Sequence, residues 1–187
     1  MQPTKVSADK GKFKGVSYMI LVSLFVIFIL AVSLIAGLKE GAVKHSFNLV
    51  ATLVAIPIAG LVYTLVARLL SFMPGENWEN VLGFFISFAI IIILLHIVFW
   101  APRKLIEKKW KHGLLYRSMG GALNVVNASI GFVVFALVVF AYPIFDWLVQ
   151  WIDDSSVLTF LVEFFDFVQR LLPEEFEVAA TIVPAIL

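Results

Sequence analysis

Four apolar stretches, at about residues 16–38, 47–70, 81–101 and 119–142, decide where this chain can fold. A helix needs about 20 apolar residues to cross the roughly 30 Å hydrocarbon layer of a bilayer, and each stretch has that length. No water reaches backbone groups inside the bilayer, so such runs satisfy themselves as helices. Composition leaves no soluble alternative. Of the 187 residues, 61% are hydrophobic and only 14% are charged, and mean hydropathy is +1.00. Soluble domains run at about 45–50% apolar and about 25% charged residues. A globule of this length has too little interior to hide the excess. The predicted architecture is an all-α membrane protein with about four transmembrane helices and a C-terminal amphipathic helix.

Residues 1–15 read as a polar basic tail carrying Lys5, Lys10, Lys12 and Lys14. The first run continues through Ile35-Ala36-Gly37-Leu38 without an Ala-x-Ala cleavage pattern, so it is expected to stay as a helix rather than be removed as a signal. Residues 39–46 read as a short basic connection. Pro57, in the middle of the second run, predicts a kink or a break, with a re-entrant segment as the alternative to a full crossing. Pro74-Gly75 marks a turn, and Trp78 beside it suits an interface anchor. Pro102 is expected to end the third run, with residues 103–112 forming an amphipathic surface helix. Residues 16–142 thus make the membrane domain, residues 143–173 an interfacial helical region, and residues 174–187 an acidic and apolar tail too short to span.

Charge sets an orientation. Lys and Arg in short loops stay on the cytoplasmic side. With four crossings the first and third connections share a side, and together they carry Lys39, Lys44 and the six basic residues of 103–117. That side is predicted to be cytoplasmic, with the acidic C-terminal region outside. The four N-terminal lysines fit this poorly. A re-entrant segment at Pro57 would bring them inside, but the run around Pro57 is long enough to span, and four crossings are preferred.

Several residues stand out within the membrane. Ala51, Ala55 and Ala59 recur every four residues, a stripe where another helix can approach closely. Gly120, Asn124, Asn127 and Gly131 are spaced 4, 3 and 4 on the fourth run. That stripe is either a packing seam joined by two amides or the lining of a pathway. In neither case should it face lipid, where unpaired amides are costly. His96, deep in the third run, is a candidate for proton or ion chemistry or for one interhelical hydrogen bond. His45 and His112 read as loop residues, and three scattered histidines make no metal site.

Past the last span, Thr159, Glu163, Asp166 and Arg170 fall on one face of a helix expected over 157–172, opposite Phe, Leu and Val. Glu163, Asp166 and Arg170 are therefore candidates for a partner surface. Asp153-Asp154-Ser155-Ser156 caps that helix. The chain has no cysteine, and it contains no P-loop, dinucleotide fingerprint, zincin helix or nucleophile elbow. No cofactor and no nucleic-acid partner is expected. The partners implied are the lipid bilayer and other membrane subunits, or further copies of the chain.

Four short stretches carry a resemblance. They are Gly37-Leu38-Lys39-Glu40-Gly41 after the first span and Asn80-Val81-Leu82-Gly83-Phe84 leading into the third. The others are Arg117-Ser118-Met119-Gly120-Gly121-Ala122-Leu123 opening the fourth, and the segment from Ser155, Ser156 and Leu158 to Leu171-Leu172-Pro173. Over about residues 17–173 the chain resembles the colicin V production protein (CvpA) family of bacterial inner-membrane proteins. It departs from the family pattern at Lys39, where arginine is more usual, and at Asn124 and Asn127, where the family tends to carry further glycines and a basic residue. The resemblance implies a multi-pass inner-membrane protein linked to toxin export, envelope homeostasis or biofilm formation, with no established reaction. The first functional reading is a non-enzymatic protein acting through partners in envelope, secretion or complex assembly. The others are a transporter or channel component, and an accessory subunit of an energy-transducing or photosynthetic complex.

Overall fold

The computed structural model describes residues 6–72, 77–109, 113–173 and 176, with side chains from residue 20 onward. They form helices α1 (Val6–Glu40), α2 (Ala42–Leu69), α3 (Trp78–Glu107), α4 (Leu114–Ala141), α5 (Asp146–Asp153) and α6 (Ser156–Phe164), then a short 3-10 helix at Asp166–Leu171. No strand occurs among the described residues. Ile20–Glu40 within α1, and α2, α3 and α4 entire, are long and apolar enough to cross a membrane. The Pro74-Gly75 turn, His112 and the acidic and apolar tail apart from Phe176 lie outside the described residues.

Both prolines sit inside helices rather than ending them. α2 runs unbroken through Pro57, and α3 runs through Pro102 to Glu107. Proline removes one N–H from the helical ladder, and neighbouring helices in a membrane bundle compensate for the freed carbonyl. The expected break at Pro57 and stop at Pro102 are therefore corrected. With 28 residues, α2 is about 42 Å long, enough to traverse the hydrocarbon layer, so the re-entrant alternative falls away. Residues 103–107 are the last turn of α3 and not a separate surface helix.

The connection expected over 39–46 shrinks to one residue. Gly41, at φ 86, is the only break between α1 and α2. That φ lies in the left-handed region that glycine adopts without penalty. His45 consequently belongs to the first turns of α2 and is only 2% exposed, not a loop residue. The helix expected over 157–172 also divides: α6 ends at Phe164 and, after Phe165, the chain continues as the 3-10 helix.

The four spanning helices lie in the order α1–α4–α2–α3. α1 packs on α4, α4 on α2 and α2 on α3, while α1 and α2 scarcely touch despite their one-residue link. Burial follows this order. The most apolar stretches of α4 and α2 are 44% and 39% buried, against 22% in α3 and 11% in α1. α2 earns its central place through size: Ala51, Ala55 and Ala59 are fully buried, and so is Ile56. On the α3 side Gly83 meets Ala67, where a Cβ would lie 2.9 Å from the Ala67 backbone nitrogen.

The C-terminal elements close one end of the bundle. Ser155 caps α6, accepting from the Leu158 N–H at 3.4 Å, and its Oγ lies 3.0 Å from Ser23 Oγ on α1. Phe176 inserts between Tyr63, Phe84 and Tyr142, with ring centroids 5.4 Å from each. The hydroxyls of Tyr63 and Tyr142 are 2.8 Å apart. The opposite end carries Gly41 and the α3–α4 connection.

Candidate functional site

Polar groups inside an apolar bundle must find partners or cost free energy, so they are where function is sought. The first cluster is the seam between the last turn of α1 and the first turns of α4. Gly37 and Gly41 are four residues apart, on the face that meets Gly120 and Gly121. A Cβ on Gly37 would lie 2.7 Å from Gly121 Cα and 2.8 Å from Asn124 Cβ. A Cβ on Gly120 would lie 2.6 Å from the Gly37 oxygen. The backbones therefore touch as glycine-spaced helix pairs do in membranes. The close approach lets the Asn124 Nδ2 donate to the Ser33 carbonyl at 2.6 Å.

Beside this seam lies a charged group. The Glu40 carboxylate receives the Lys44 ammonium, and Glu40 Oε2 lies 3.1 Å from His45 Nε2. Tyr116 packs its ring where a side chain at Gly41 would stand.

The second cluster joins α2 to α3. His96 Nδ1 is 2.8 Å from the Ile92 carbonyl, and Nε2 is 3.0 Å from the Asn48 amide. A carbonyl can only accept, so Nδ1 carries the proton. The His96 Nε2 faces Asn48 Oδ1, and this contact joins α3 to α2.

The candidate residues are thus distributed rather than gathered. Gly120 and Asn124 lie at the α1 seam. Asn127 lies one turn further along α4, and its Oδ1 is buried without a hydrogen-bond partner. Gly131 leaves the stripe: it is exposed, and a Cβ there would meet nothing within 4 Å. Ala51, Ala55 and Ala59 fill the α2 core, and His96 pairs with Asn48. Glu163, Asp166 and Arg170 are all exposed, with Arg170 Nη2 3.1 Å from Asp166 Oδ2. Phe160, Phe164 and Phe167 are exposed near them.

Sequence reasoning missed Asn48, His45 and the pairing of Gly37 with Gly120. The Gly-x-x-x-Gly spacing of Gly37 and Gly41 was the available signal for the last. Among the described residues no group of three or more His, Cys, Asp or Glu could hold a metal ion.

A family model described as Colicin V production protein matches residues 22–166. No curated protein and no solved structure matches the chain.

Proposed function

The chain belongs to the colicin V production protein family, and on that premise we propose that this multi-pass, non-enzymatic membrane protein acts through protein partners in envelope, secretion or complex assembly. The supporting observation is how its intramembrane polar groups are used. Asn124 is tied to Ser33, His96 to Asn48, Tyr63 to Tyr142 and Ser23 to Ser155. Each pair joins two elements, so these side chains hold the bundle together. The partner contacts are assigned to the exposed Glu163, Asp166 and Arg170 and the phenylalanines near them.

The same proposal includes an orientation in a bacterial inner membrane. The end holding Gly41 and the α3–α4 connection carries Lys39, Lys44, Arg103, Lys104, Lys108, Lys109 and Arg117, and is placed in the cytoplasm. α5, α6 and the 3-10 helix then lie outside. The test is the mass of the protein gently extracted from its native membrane, with co-purifying chains identified. Foreign subunits in stoichiometric ratio are expected, and their loss with Glu163→Lys locates the contact. A lone chain of about one protomer's mass refutes the reading.

A second reading, a transporter or channel component, is favoured by the unpartnered buried Oδ1 of Asn127. Replacing Asn124 and Asn127 with alanine separates the two. Under the first reading assembly suffers and no selective flux defect appears. Under the second, flux changes in vesicles while assembly persists.

A further inference from the structure

From the surface between α1 and α4 at the end that carries Gly41, we infer a binding site for one anionic phospholipid, its phosphate held by Lys39 and Arg117. A groove of about 490 Å³ runs there, with Lys39, Arg117 and Ser118 beside the apolar walls of Ile35 and Leu114. A second groove of about 280 Å³ shares Ile35 and Lys39, continues along Ala36 and Val32, and has the Glu40 carboxylate at its Lys39 end. The two lie side by side on α1, one for each acyl chain of a diacyl lipid. Ile35 and Val32 stand one and two turns from Lys39 toward the middle of the span, in the order of headgroup and then chains.

The charge is available. Among the described residues, Lys39 and Arg117 have no ion-pair partner. The nearest carboxylate in sequence, Glu40, is engaged with Lys44 and His45. At the end of α3, Arg103 is paired with Glu107 at 3.1 Å and Lys104 lies 4.1 Å from the Trp100 ring centroid, while Lys108 and Lys109 are unpaired among the described residues but line neither groove. Two uncompensated cations flanking one cleft, with Ile35 and Val32 toward the middle of the span, match a net-negative phosphodiester headgroup better than a zwitterionic one, and better than an acidic protein segment, which would have no use for the apolar wall. Basic pockets between spanning helices hold anionic headgroups in this manner. The Gly37–Gly120 contact brings the cations together, because a wider seam would move Arg117 away from Lys39.

The test is native mass spectrometry of the full chain in detergent, titrated with phosphatidylglycerol and, separately, phosphatidylcholine. The variants are Lys39→Gln, Arg117→Gln and both together, with Lys108→Gln and Lys109→Gln as controls that remove charge from the same end. Each single site variant should weaken phosphatidylglycerol binding roughly fivefold and the double variant roughly 25-fold, by the usual worth of one basic residue near an anionic headgroup. Phosphatidylcholine binding and the controls should change less than about twofold on the same scale. An equal loss in the controls would show a diffuse field and no site. Undiminished selectivity in the double variant, or a co-extracted polypeptide in place of the lipid, also overturns the inference. The single variants decide the question if the double variant does not assemble.

Discussion

Adding one methyl group at Gly37 tests whether the α1–α4 seam is as tight as its geometry indicates. In Gly37→Ala the new Cβ falls 2.7 Å from Gly121 Cα, and ordinary contact begins at 3.4 Å. The Gly120 carbonyl oxygen lies nearer still and the Asn124 Cβ is fixed to its backbone, so nothing on α4 can swing aside and the helices must part by at least about 0.7 Å. That movement stretches the Asn124–Ser33 hydrogen bond from 2.6 Å to about 3.3 Å, beyond the usual N–H···O range. Overpacking of this kind costs about 1–3 kcal/mol, and an interhelical hydrogen bond in a membrane averages about 0.6 kcal/mol. The opposing term is the gain of about 1 kcal/mol from replacing glycine in a helix. Gly131→Ala, also in a helix but with open space at its Cβ, receives only that gain. The propensity term cancels between the two variants. Gly37→Ala should therefore be less stable than Gly131→Ala by roughly 1.5–3.5 kcal/mol, read as the difference in unfolding free energy by steric trapping or denaturing-detergent titration in the same micelles. Equal stability of the two would refute the close-contact reasoning, and a less stable Gly131→Ala would refute it outright.

Other outcomes follow from the same contacts. Gly41→Ala must accept φ 86 and displace the Tyr116 ring, so a loss of at least about 1–2 kcal/mol is expected, seen as a lower thermal midpoint in detergent. A double-mutant cycle on Asn48→Ala and His96→Ala should yield a coupling of about 0.6 kcal/mol and no more than about 1.7 kcal/mol, with zero coupling as the contrary result. Phe176→Ala empties a fully buried site among three aromatic rings, which should cost about 3–5 kcal/mol; tryptophan fluorescence unfolding curves that superimpose on wild type would disprove it.

Hydropathy made the four spans legible because lipid imposes a simple demand: about 20 apolar residues and a closed hydrogen-bond ladder. The demand says little about where helices end. Pro57 and Pro102 look like stops by the rules of helices in water, yet both helices run through them. Residues 39–46 look like a loop because Lys39, Glu40, Lys44 and His45 are polar, but one glycine with positive φ turns the chain and leaves the rest helical. The stripe of Gly120, Asn124, Asn127 and Gly131 shows the limit of spacing as a guide. Helical periodicity places residues on a common face, but a neighbour touches only part of that face, and Gly131 lies beyond it. Asn48 gave no signal, since it belongs to no recurrent spacing, and its importance comes from a helix more than 40 positions away.

The placement of α4 between α1 and α2 has a consequence for biogenesis. The ribosome delivers α1 and α2, joined at Gly41, before α3 and α4, and these two have almost no mutual surface to hold them. α2 can pair with α3 as soon as the third span enters the membrane. α1 has no comparable mate until α4 arrives, although it enters the bilayer before α2 and α3. α4 thus decides whether α1 is captured. A nascent chain that stalls before Leu114 presents an orphaned first helix to the quality-control proteases, while α2 and α3 are already paired beside it.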